Sequence, residues 1–155
     1  MAYAYPFALS MFEQLRQRDL LEFSYVVPIP LSPDKVEKRE KHRTRVLARE
    51  LGRLLAVDVR EMLSLSSSIS KRRMQAEGYS PAQFERQYCQ ALQAEIPADA
   101  VRILLVDDVM TRGSTAAQAL CAIREQRPET AVVVATAGQM IVKEAVVNDR
   151  GFKEV

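Results

Sequence analysis

Four short apolar stretches are spaced along the chain like the buried strands of one sheet. They are residues 23–29, 57–65, 101–106 and 131–136. The first is aromatic and β-branched and ends in Pro28-Ile29-Pro30, which predicts a strand followed by a rigid loop that Pro33 prolongs. Residues 101–106 have almost no polar interruption, which is typical of a strand in a sheet with helices on both faces.

Apolar residues at helical intervals predict four helices around these strands. The helical segments are residues 11–21, 46–55, 80–92 and 115–125. Ser80 is predicted to be the N-cap of the third helix and Pro81 its first residue. Tyr3, Tyr5 and Phe7 are expected to pack beneath the first helix. The alternation predicts an α/β fold with a doubly wound, mainly parallel sheet flanked by helices, in which ligands bind beyond the carboxyl ends of the strands.

The length of 155 residues predicts a single domain with two distinctive segments. Residues 1–21 contain a short N-terminal helical segment. Residues 66–80 begin with serines, continue with three basic residues and have no clear period. This polar break predicts a mobile or irregular segment.

Composition and charge narrow the class of protein. The formal net charge is only +2, which by itself favours neither nucleic acid nor an anionic membrane as a partner. Cys89 and Cys121 are far apart, so neither a zinc site nor a disulfide framework is indicated, and a reducing cytoplasm fits best. No stretch has the pattern of a signal peptide or the length of a membrane span, so we expect a cytoplasmic protein without a membrane partner.

The most informative segment follows the third predicted strand, where two acids and a glycine-containing turn lead into a helix. Backbone amides of such a turn, at a helix N-terminus, form a concave site of partial positive charge that suits a phosphate. The hydroxyls of Thr111, Ser114 and Thr115 can add hydrogen bonds. Asp107 and Asp108 can accept hydrogen bonds from ribose hydroxyls or help to place a hydrated magnesium ion. Together these groups predict a site for a sugar phosphate.

Other interpretations of this segment compete with a sugar phosphate site. A P-loop NTPase requires a Gly-x-x-x-x-Gly-Lys-Ser/Thr motif, which the sequence lacks. A phosphoacceptor receiver domain requires more of its fold after the acids than this chain contains. The remaining alternative is an ordinary strand end, with acids where the chain leaves the core and Ser114 or Thr115 as the cap of the next helix.

The stretch VRILLVDDVMTRGST resembles the phosphoribosyl-pyrophosphate (PRPP) binding motif of type I phosphoribosyltransferases. That motif consists of an apolar strand, two acids, two variable residues, Thr-Thr-Gly, a small residue and Thr. A second stretch, VPIPLSPDKVEKREKHRTRVLARELGRLL, is similar to a segment of the competence-associated ComF branch of that family. The resemblance implies the type I phosphoribosyltransferase fold and the use of PRPP with Mg²⁺.

The resemblance also implies roles for particular residues. Asp107 and Asp108 would hold the ribose hydroxyls and, indirectly, Mg²⁺. The PRPP phosphate loop would comprise Val109, Met110, Thr111, Arg112, Gly113, Ser114 and Thr115. The pyrophosphate loop would include Pro30, Leu31, Ser32 and Lys35. A mobile flap over the site, at residues 66–80, would include Lys71, Arg72 and Arg73.

The chain departs from the family pattern in three respects. Arg112 stands where the family has Thr. Glu40, Lys41 and His42 stand where it has Gly-Phe-Asn after the matching Arg39. The N-terminal cysteine cluster common in the ComF branch is missing. The first two departures concern the transfer chemistry, and the third weakens an inference about DNA uptake.

A basic segment is the second candidate feature. Its members are Lys35, Lys38, Arg39, Lys41, Arg43, Arg45 and Arg49. A departing diphosphate must be neutralised, and Arg39 is the first candidate for a catalytic cation. The alternative is a solvated helix face, which the interleaved acids favour. His42, the only histidine, is interpreted as structural rather than as a general base.

The principal hypothesis is a Mg²⁺-dependent phosphoribosyltransferase of nucleotide metabolism, which transfers ribose 5-phosphate from PRPP to a nitrogenous base and releases pyrophosphate. Its candidate catalytic residues are Asp107, Asp108 and Arg39. The alternative is a non-catalytic PRPP-binding or nucleotide-binding regulatory protein, or a DNA-uptake accessory protein of the ComF type. A third hypothesis is a nucleic-acid accessory protein that uses the basic helix and residues 71–73. The family resemblance also favours a homodimer.

Overall fold

Helices and strands alternate along much of the chain. The computed structural model describes residues 4–39, 41–108, 114–137, 142–144, 146–148 and 151–153. The helices are α1 (Ala4–Gln17), α2 (Pro33–Glu37), α3 (Arg43–Leu55), α4 (Lys71–Ala76), α5 (Pro81–Ala91) and α6 (Ser114–Gln126). The strands are β1 (Tyr25–Pro28), β2 (Leu63–Leu65), β3 (Leu92–Ala94), β4 (Arg102–Asp107), β5 (Ala131–Thr136), β6 (Val142–Glu144), β7 (Val146–Asn148) and β8 (Gly151–Lys153). Within these ranges, no helix combines the length and the apolar character needed to span a membrane.

The central sheet has the strand order β1-β4-β5-β6. β1, β4 and β5 are parallel, whereas β6 is antiparallel to β5. Tyr25 of β1 is opposite Ile103 of β4, and Asp107 at the end of β4 is opposite Thr136 of β5. The prediction of an α/β fold is thus confirmed as a small parallel three-stranded sheet flanked by helices.

Helices cover both faces of this sheet. Alternate residues of β4 point to opposite faces and therefore belong to different cores. Ile103 and Leu105 belong to a core that includes residues of α5 and α6. Leu104 and Val106 belong to a second core, which includes residues of α1 and α3. All four side chains are fully buried. These two apolar environments explain why β4 has so few polar residues.

Several elements begin and end close to the predicted positions. β5 spans residues 131–136 as predicted, and α3 and α6 extend by only a few residues beyond the predicted helices. Ser80 caps α5, since its hydroxyl accepts a hydrogen bond from the Gln83 amide at 3.3 Å and its own amide donates to the Gln83 side chain at 2.8 Å. Pro81 is the first residue of α5, which confirms the predicted start of that helix.

The prediction of one strand at residues 57–65 is right only for its last three residues. Only Leu63–Leu65 form a strand, β2, and it pairs antiparallel with β3 in a separate two-stranded sheet. Val59 makes an isolated parallel bridge to Val26. Charged residues at positions 58, 60 and 61 interrupt the apolar pattern, so this stretch does not form a continuous buried strand. The loop predicted at Pro33 is also wrong in part, because Pro33 begins the short helix α2.

The first helix begins earlier than predicted, at Ala4, and ends at Gln17. Its buried stripe consists of Ala4, Ala8, Met11 and Leu15. Tyr5 and Phe7 are 43% and 45% exposed, so the prediction that they pack beneath the helix is wrong. Both belong to the helix itself and lie away from its buried stripe. Tyr3 is outside the described residues.

Gly52 is a position inside α3 where the packing requires glycine. After α3 the chain turns at Ala56, which has a left-handed conformation, and passes close to Gly52. A Cβ at position 52 would lie 2.6 Å from Val59 Cγ2 and 2.8 Å from the backbone oxygen of Val57. Gly52→Ala is therefore expected to lower the free energy of unfolding by about 2 kcal/mol, although alanine is the better helix former.

Urea unfolding followed by circular dichroism measures this effect. Arg49→Ala, at an exposed position of the same helix, is the control and is expected to change the free energy of unfolding by less than about 0.5 kcal/mol. A Gly52→Ala protein as stable as the wild type would contradict the expected clash.

Candidate functional site

A cavity of about 860 Å³ opens at the carboxyl ends of β1 and β4. In parallel α/β sheets this is the edge at which ligands bind. The segment after β1 contributes Ile29, Pro30, Leu31, Ser32 and Lys35 to its lining. The end of β4 and the start of α6 contribute Asp107, Asp108 and Thr115. The structure therefore brings the predicted pyrophosphate loop and the two predicted carboxyl groups to one cavity.

Asp107 is a buried carboxyl group at the last position of β4, and the residue is only 8% exposed. Its Oδ1 atom accepts a hydrogen bond from the Asp108 amide at 2.8 Å. Burial raises the pKa of Asp107 to about 6, and the hydrogen bond from Asp108 offsets part of this increase. A carboxyl group with such a raised pKa, in a cavity wall, is typical of a functional site.

Hydrogen bonds hold the predicted pyrophosphate loop and the preceding residue, Ile29, in place. The Ile29 amide donates to the Val106 carbonyl at 2.9 Å, which continues the pairing of β1 with β4. The Thr44 hydroxyl donates to the Ile29 carbonyl at 2.8 Å. The buried Ser32 hydroxyl accepts a hydrogen bond from the Ile69 amide at 3.2 Å, so the loop is joined to the predicted flap.

The cavity is lined by the basic residues Lys35, Lys41 and Arg43. The last two lie at the start of α3, whose first turn contains no acidic residue. Arg39 does not line the cavity; it is exposed, and its φ of 53° is a left-handed conformation. Lys41 and Arg43 are therefore better candidates than Arg39 for the neutralising cations. The sequence contains all of them in one basic segment, but only the position of α3 determines which ones line the cavity.

His42 is the N-cap of α3. Its Nδ1 atom accepts a hydrogen bond from the Arg45 amide at 3.2 Å. Burial lowers the pKa of His42, and the charge of Arg45 lowers it further. A neutral imidazole that accepts a backbone hydrogen bond supports the structural interpretation of this residue.

Part of the predicted flap, residues 66–80, forms another wall of the cavity. The prediction of an irregular segment is wrong for residues 71–76, which form the helix α4. Its lining residues are Ile69, Ser70 and Gln75. Arg73 is exposed and forms an ion pair with Glu77 at 2.8 Å, and it does not line the cavity. The side chains of Lys71 and Arg72 are outside what the structure describes.

One wall of the cavity is apolar and lies on α5, opposite the residues that follow β1 and β4. The sequence did not identify this wall as part of the site. Phe84 and Tyr88 lie one turn apart with their ring centroids 5.8 Å from each other, and both line the cavity. Leu65 and Ile69 add to this wall. Periodicity predicted the helix, but it locates a buried face and does not show what that face covers.

Most of the predicted phosphate loop is outside the described residues. This applies to Val109, Met110, Thr111, Arg112 and Gly113. Ser114 begins α6, but its side chain is not described either. Thr115 lines the cavity, so the first turn of α6 lies at the same site as Asp107 and Asp108.

The chain matches no model of a known protein family and no curated protein. The chemistry of the cavity is therefore the basis for a functional proposal.

The cavity combines hydrogen-bond acceptors with positive charge. The carboxyl groups of Asp107 and Asp108 can accept hydrogen bonds from hydroxyl groups. Three cations and the first turns of α3 and α6 favour anionic groups. No cluster of three or more His, Cys, Asp or Glu side chains suited to a metal occurs within the described ranges. The two adjacent acids do fit Mg²⁺, which keeps several waters and shares its coordination with ligand phosphates.

Proposed function

We propose that this protein is a phosphoribosyltransferase with the type I fold, which takes ribose 5-phosphate from PRPP and transfers it to a nitrogenous base. The observation that supports the proposal most directly is the arrangement of Asp107 and Asp108 around one cavity with Lys35, Lys41 and Arg43. PRPP carries two neighbouring ring hydroxyls, a 5-phosphate and a diphosphate. Its hydroxyls suit the carboxyl groups, and its phosphates suit the cations and the helix N-termini.

Each part of the cavity has its own role in binding under this proposal. Asp107 and Asp108 accept hydrogen bonds from the ribose hydroxyls, and the start of α6 binds the 5-phosphate. Lys35, Lys41 and Arg43 surround the diphosphate. Because both ends of the sugar are held, the anomeric carbon is presented to the incoming base in a fixed orientation.

The transfer replaces one bond at the anomeric carbon by another. A nitrogen lone pair of the base forms the new bond, the bond to the diphosphate oxygen breaks, and the diphosphate leaves with the bonding electrons. A proton on that nitrogen is lost to solvent. The sugar passes through an oxocarbenium-like transition state, as in other displacements at this carbon. Cations beside the diphosphate lower the barrier because negative charge develops there.

Mg²⁺ would be held by Asp107 and Asp108 through its waters and would supply further neutralisation of the diphosphate. Residues 66–80 would cover the bound sugar. Their connection to the pyrophosphate loop through Ser32 and Ile69 allows diphosphate binding to affect this cover. Exclusion of water protects an activated sugar from hydrolysis.

Isothermal titration with PRPP and Mg²⁺ tests the proposal. The wild type is expected to bind, and the double variant Asp107→Asn, Asp108→Asn is expected to bind about 30-fold more weakly. Each substitution replaces a charged acceptor of a hydroxyl proton by a neutral one of similar shape. A wild type that does not bind PRPP, or a double variant of equal affinity, would contradict the proposal.

The double variant Asp19→Asn, Asp58→Asn is the matched control. Both acids are exposed, and neither lines the cavity. The control removes the same charge and is expected to bind PRPP as the wild type does. An equal loss in the control would show that net charge, rather than the position of Asp107 and Asp108, determines the affinity.

Pyrophosphate release in the presence of PRPP and a panel of purine and pyrimidine bases tests the transfer itself. Release that depends on one base would identify the acceptor. Binding without release for every base in the panel would instead favour a PRPP-binding regulatory protein, the alternative hypothesis from the sequence.

A further inference from the structure

Tyr88 is a polar residue of the cavity that the proposed function has not used. It lies on α5, one turn after Phe84, and is only 6% exposed. It lines the same cavity as Asp107. Its neighbours in that wall, Phe84, Leu65 and Ile69, have no polar side-chain group.

The hydroxyl of Tyr88 is buried, and no hydrogen-bond partner for it occurs within the described part of the chain. Buried tyrosine hydroxyls usually have a partner, because an unpaired one has lost its hydrogen bonds to water without replacement. Phenylalanine would fill the same space without that cost. The interactions of the described residues thus give no reason for a hydroxyl at this position, whereas a ligand in the cavity would.

Tyr88 remains a hydrogen-bond donor throughout the physiological pH range. Burial raises the pKa of its hydroxyl, and the charge of Asp107 raises it further. Tyr88 and Asp107 thus bring a hydrogen-bond donor and an acceptor to one cavity.

We propose that Tyr88 is a specificity-determining residue, which donates a hydrogen bond to the ribose hydroxyl whose proton Asp107 accepts. A sugar hydroxyl has one proton to donate and lone pairs to accept with, so it can pair with both side chains at once. A sugar that lacks this hydroxyl would leave both groups unpaired, and a buried polar site rejects such a ligand strongly. The inference rests on the proposed function, because it takes the ligand to be a ribose phosphate.

Tyr88→Phe tests this role because it removes the hydroxyl and keeps the ring. In isothermal titrations with PRPP and Mg²⁺, the variant is expected to bind about 10-fold more weakly than the wild type. Without ligand, its melting temperature is expected to equal or exceed that of the wild type, since an unpaired buried hydroxyl has been removed. A purely structural role would instead lower the melting temperature and leave the affinity unchanged.

A double-mutant cycle tests whether Tyr88 and Asp107 hold the same hydroxyl. If they do, adding Tyr88→Phe to an Asp107→Asn protein is expected to weaken PRPP binding by clearly less than about 10-fold, because the shared contact is already impaired. If the contacts are independent, the loss in the double variant equals the product of the two single losses.

Tyr25→Phe is the matched control for loss of a tyrosine hydroxyl. The Tyr25 hydroxyl donates to Asp99 Oδ2 at 2.6 Å, and Tyr25 does not line the cavity. This variant is expected to have a lower melting temperature than the wild type and the same affinity for PRPP, the reverse of the result for Tyr88→Phe.

The experiment separates failure of the inference from failure of the proposed function. A wild type that does not bind PRPP overturns the proposed function and, with it, this role of Tyr88. A wild type that binds, together with an unchanged affinity in Tyr88→Phe or with independent losses in the cycle, overturns the role of Tyr88 alone.

Discussion

Asp107→Asn is expected to raise the free energy of unfolding of the ligand-free protein by about 3 kcal/mol at pH 8. Burial raises the pKa of the wild-type carboxyl group from 3.8 to about 6. At pH 8 the native state therefore contains a buried charge that the unfolded state exposes to water, and the change in pKa corresponds to about 3 kcal/mol. Asparagine has a similar shape, carries no charge and keeps an oxygen that can accept the hydrogen bond from the Asp108 amide.

The gain in stability is expected to depend on pH. The native state holds the Asp107 proton more tightly than the unfolded state does. The contribution of this group to wild-type stability is therefore intact below about pH 4, falls as the pH rises towards 6, and is lost above that. The difference between Asp107→Asn and the wild type should be about 1 kcal/mol at pH 4.5 and largest, about 3 kcal/mol, above pH 7. Urea unfolding at both pH values measures it.

Asp58→Asn is the control, since Asp58 is exposed. Its effect on the free energy of unfolding is expected to stay within about 0.5 kcal/mol at both pH values. If Asp107→Asn were less stable than the wild type at pH 8, the native structure would have to stabilise the charged carboxylate, contrary to its raised pKa. Because the same substitution should weaken PRPP binding, stability and binding are expected to change in opposite directions, as is common at functional sites.

The double variant Lys41→Gln, Arg43→Gln is expected to lower the affinity for PRPP by about 100-fold. Both cations line the cavity at the start of α3. A hydrogen bond to a charged group contributes about 1.5 kcal/mol or more, so the loss of two corresponds to about 3 kcal/mol. The ligand-free protein should not be destabilised, because cations near a helix N-terminus oppose the helix dipole. Isothermal titration at two salt concentrations measures the affinity and its salt dependence.

The matched control is the double variant Lys38→Gln, Arg49→Gln, which removes the same charge from the same basic segment. Neither of its residues lines the cavity, and both are exposed. Its affinity for PRPP is expected to stay within about 3-fold of the wild type at physiological ionic strength, where exposed charges at a distance are screened. Equal losses in the two double variants would mean that the segment attracts the ligand only through its total charge.

The local pattern of apolar and polar residues was sufficient to predict the strands and helices on which the site residues lie. The apolar run that forms β4 ends at Asp107, and this position alone predicts a carboxyl group at the edge of a parallel sheet where ligands bind. The N-cap at Ser80 and the bounds of β5 also follow from neighbouring residues. Such features are predictable because they depend on hydrogen bonds and burial within a few positions of the chain.

The same pattern led to wrong predictions where a segment is stabilised by contacts with residues distant in the sequence. Residues 57–65 have enough apolar side chains for a strand of the main sheet, yet their last three residues pair with β3 instead. Tyr5 and Phe7 are apolar but exposed, because the stripe that begins at Ala4 and Ala8 occupies the buried face of α1. In each case the element available for pairing or packing, rather than the residue type, determined where the side chains lie.

The sequence by itself determined the strands of the parallel sheet, the two acids at its edge and the presence of a basic segment beside it. Only the tertiary structure decided that Lys41 and Arg43, rather than Arg39, line the cavity, and that Tyr88 contributes to it. The reason is physical. Hydrophobic periodicity specifies which face of an element is buried, whereas the side chains that share a cavity depend on how separate helices pack on the sheet.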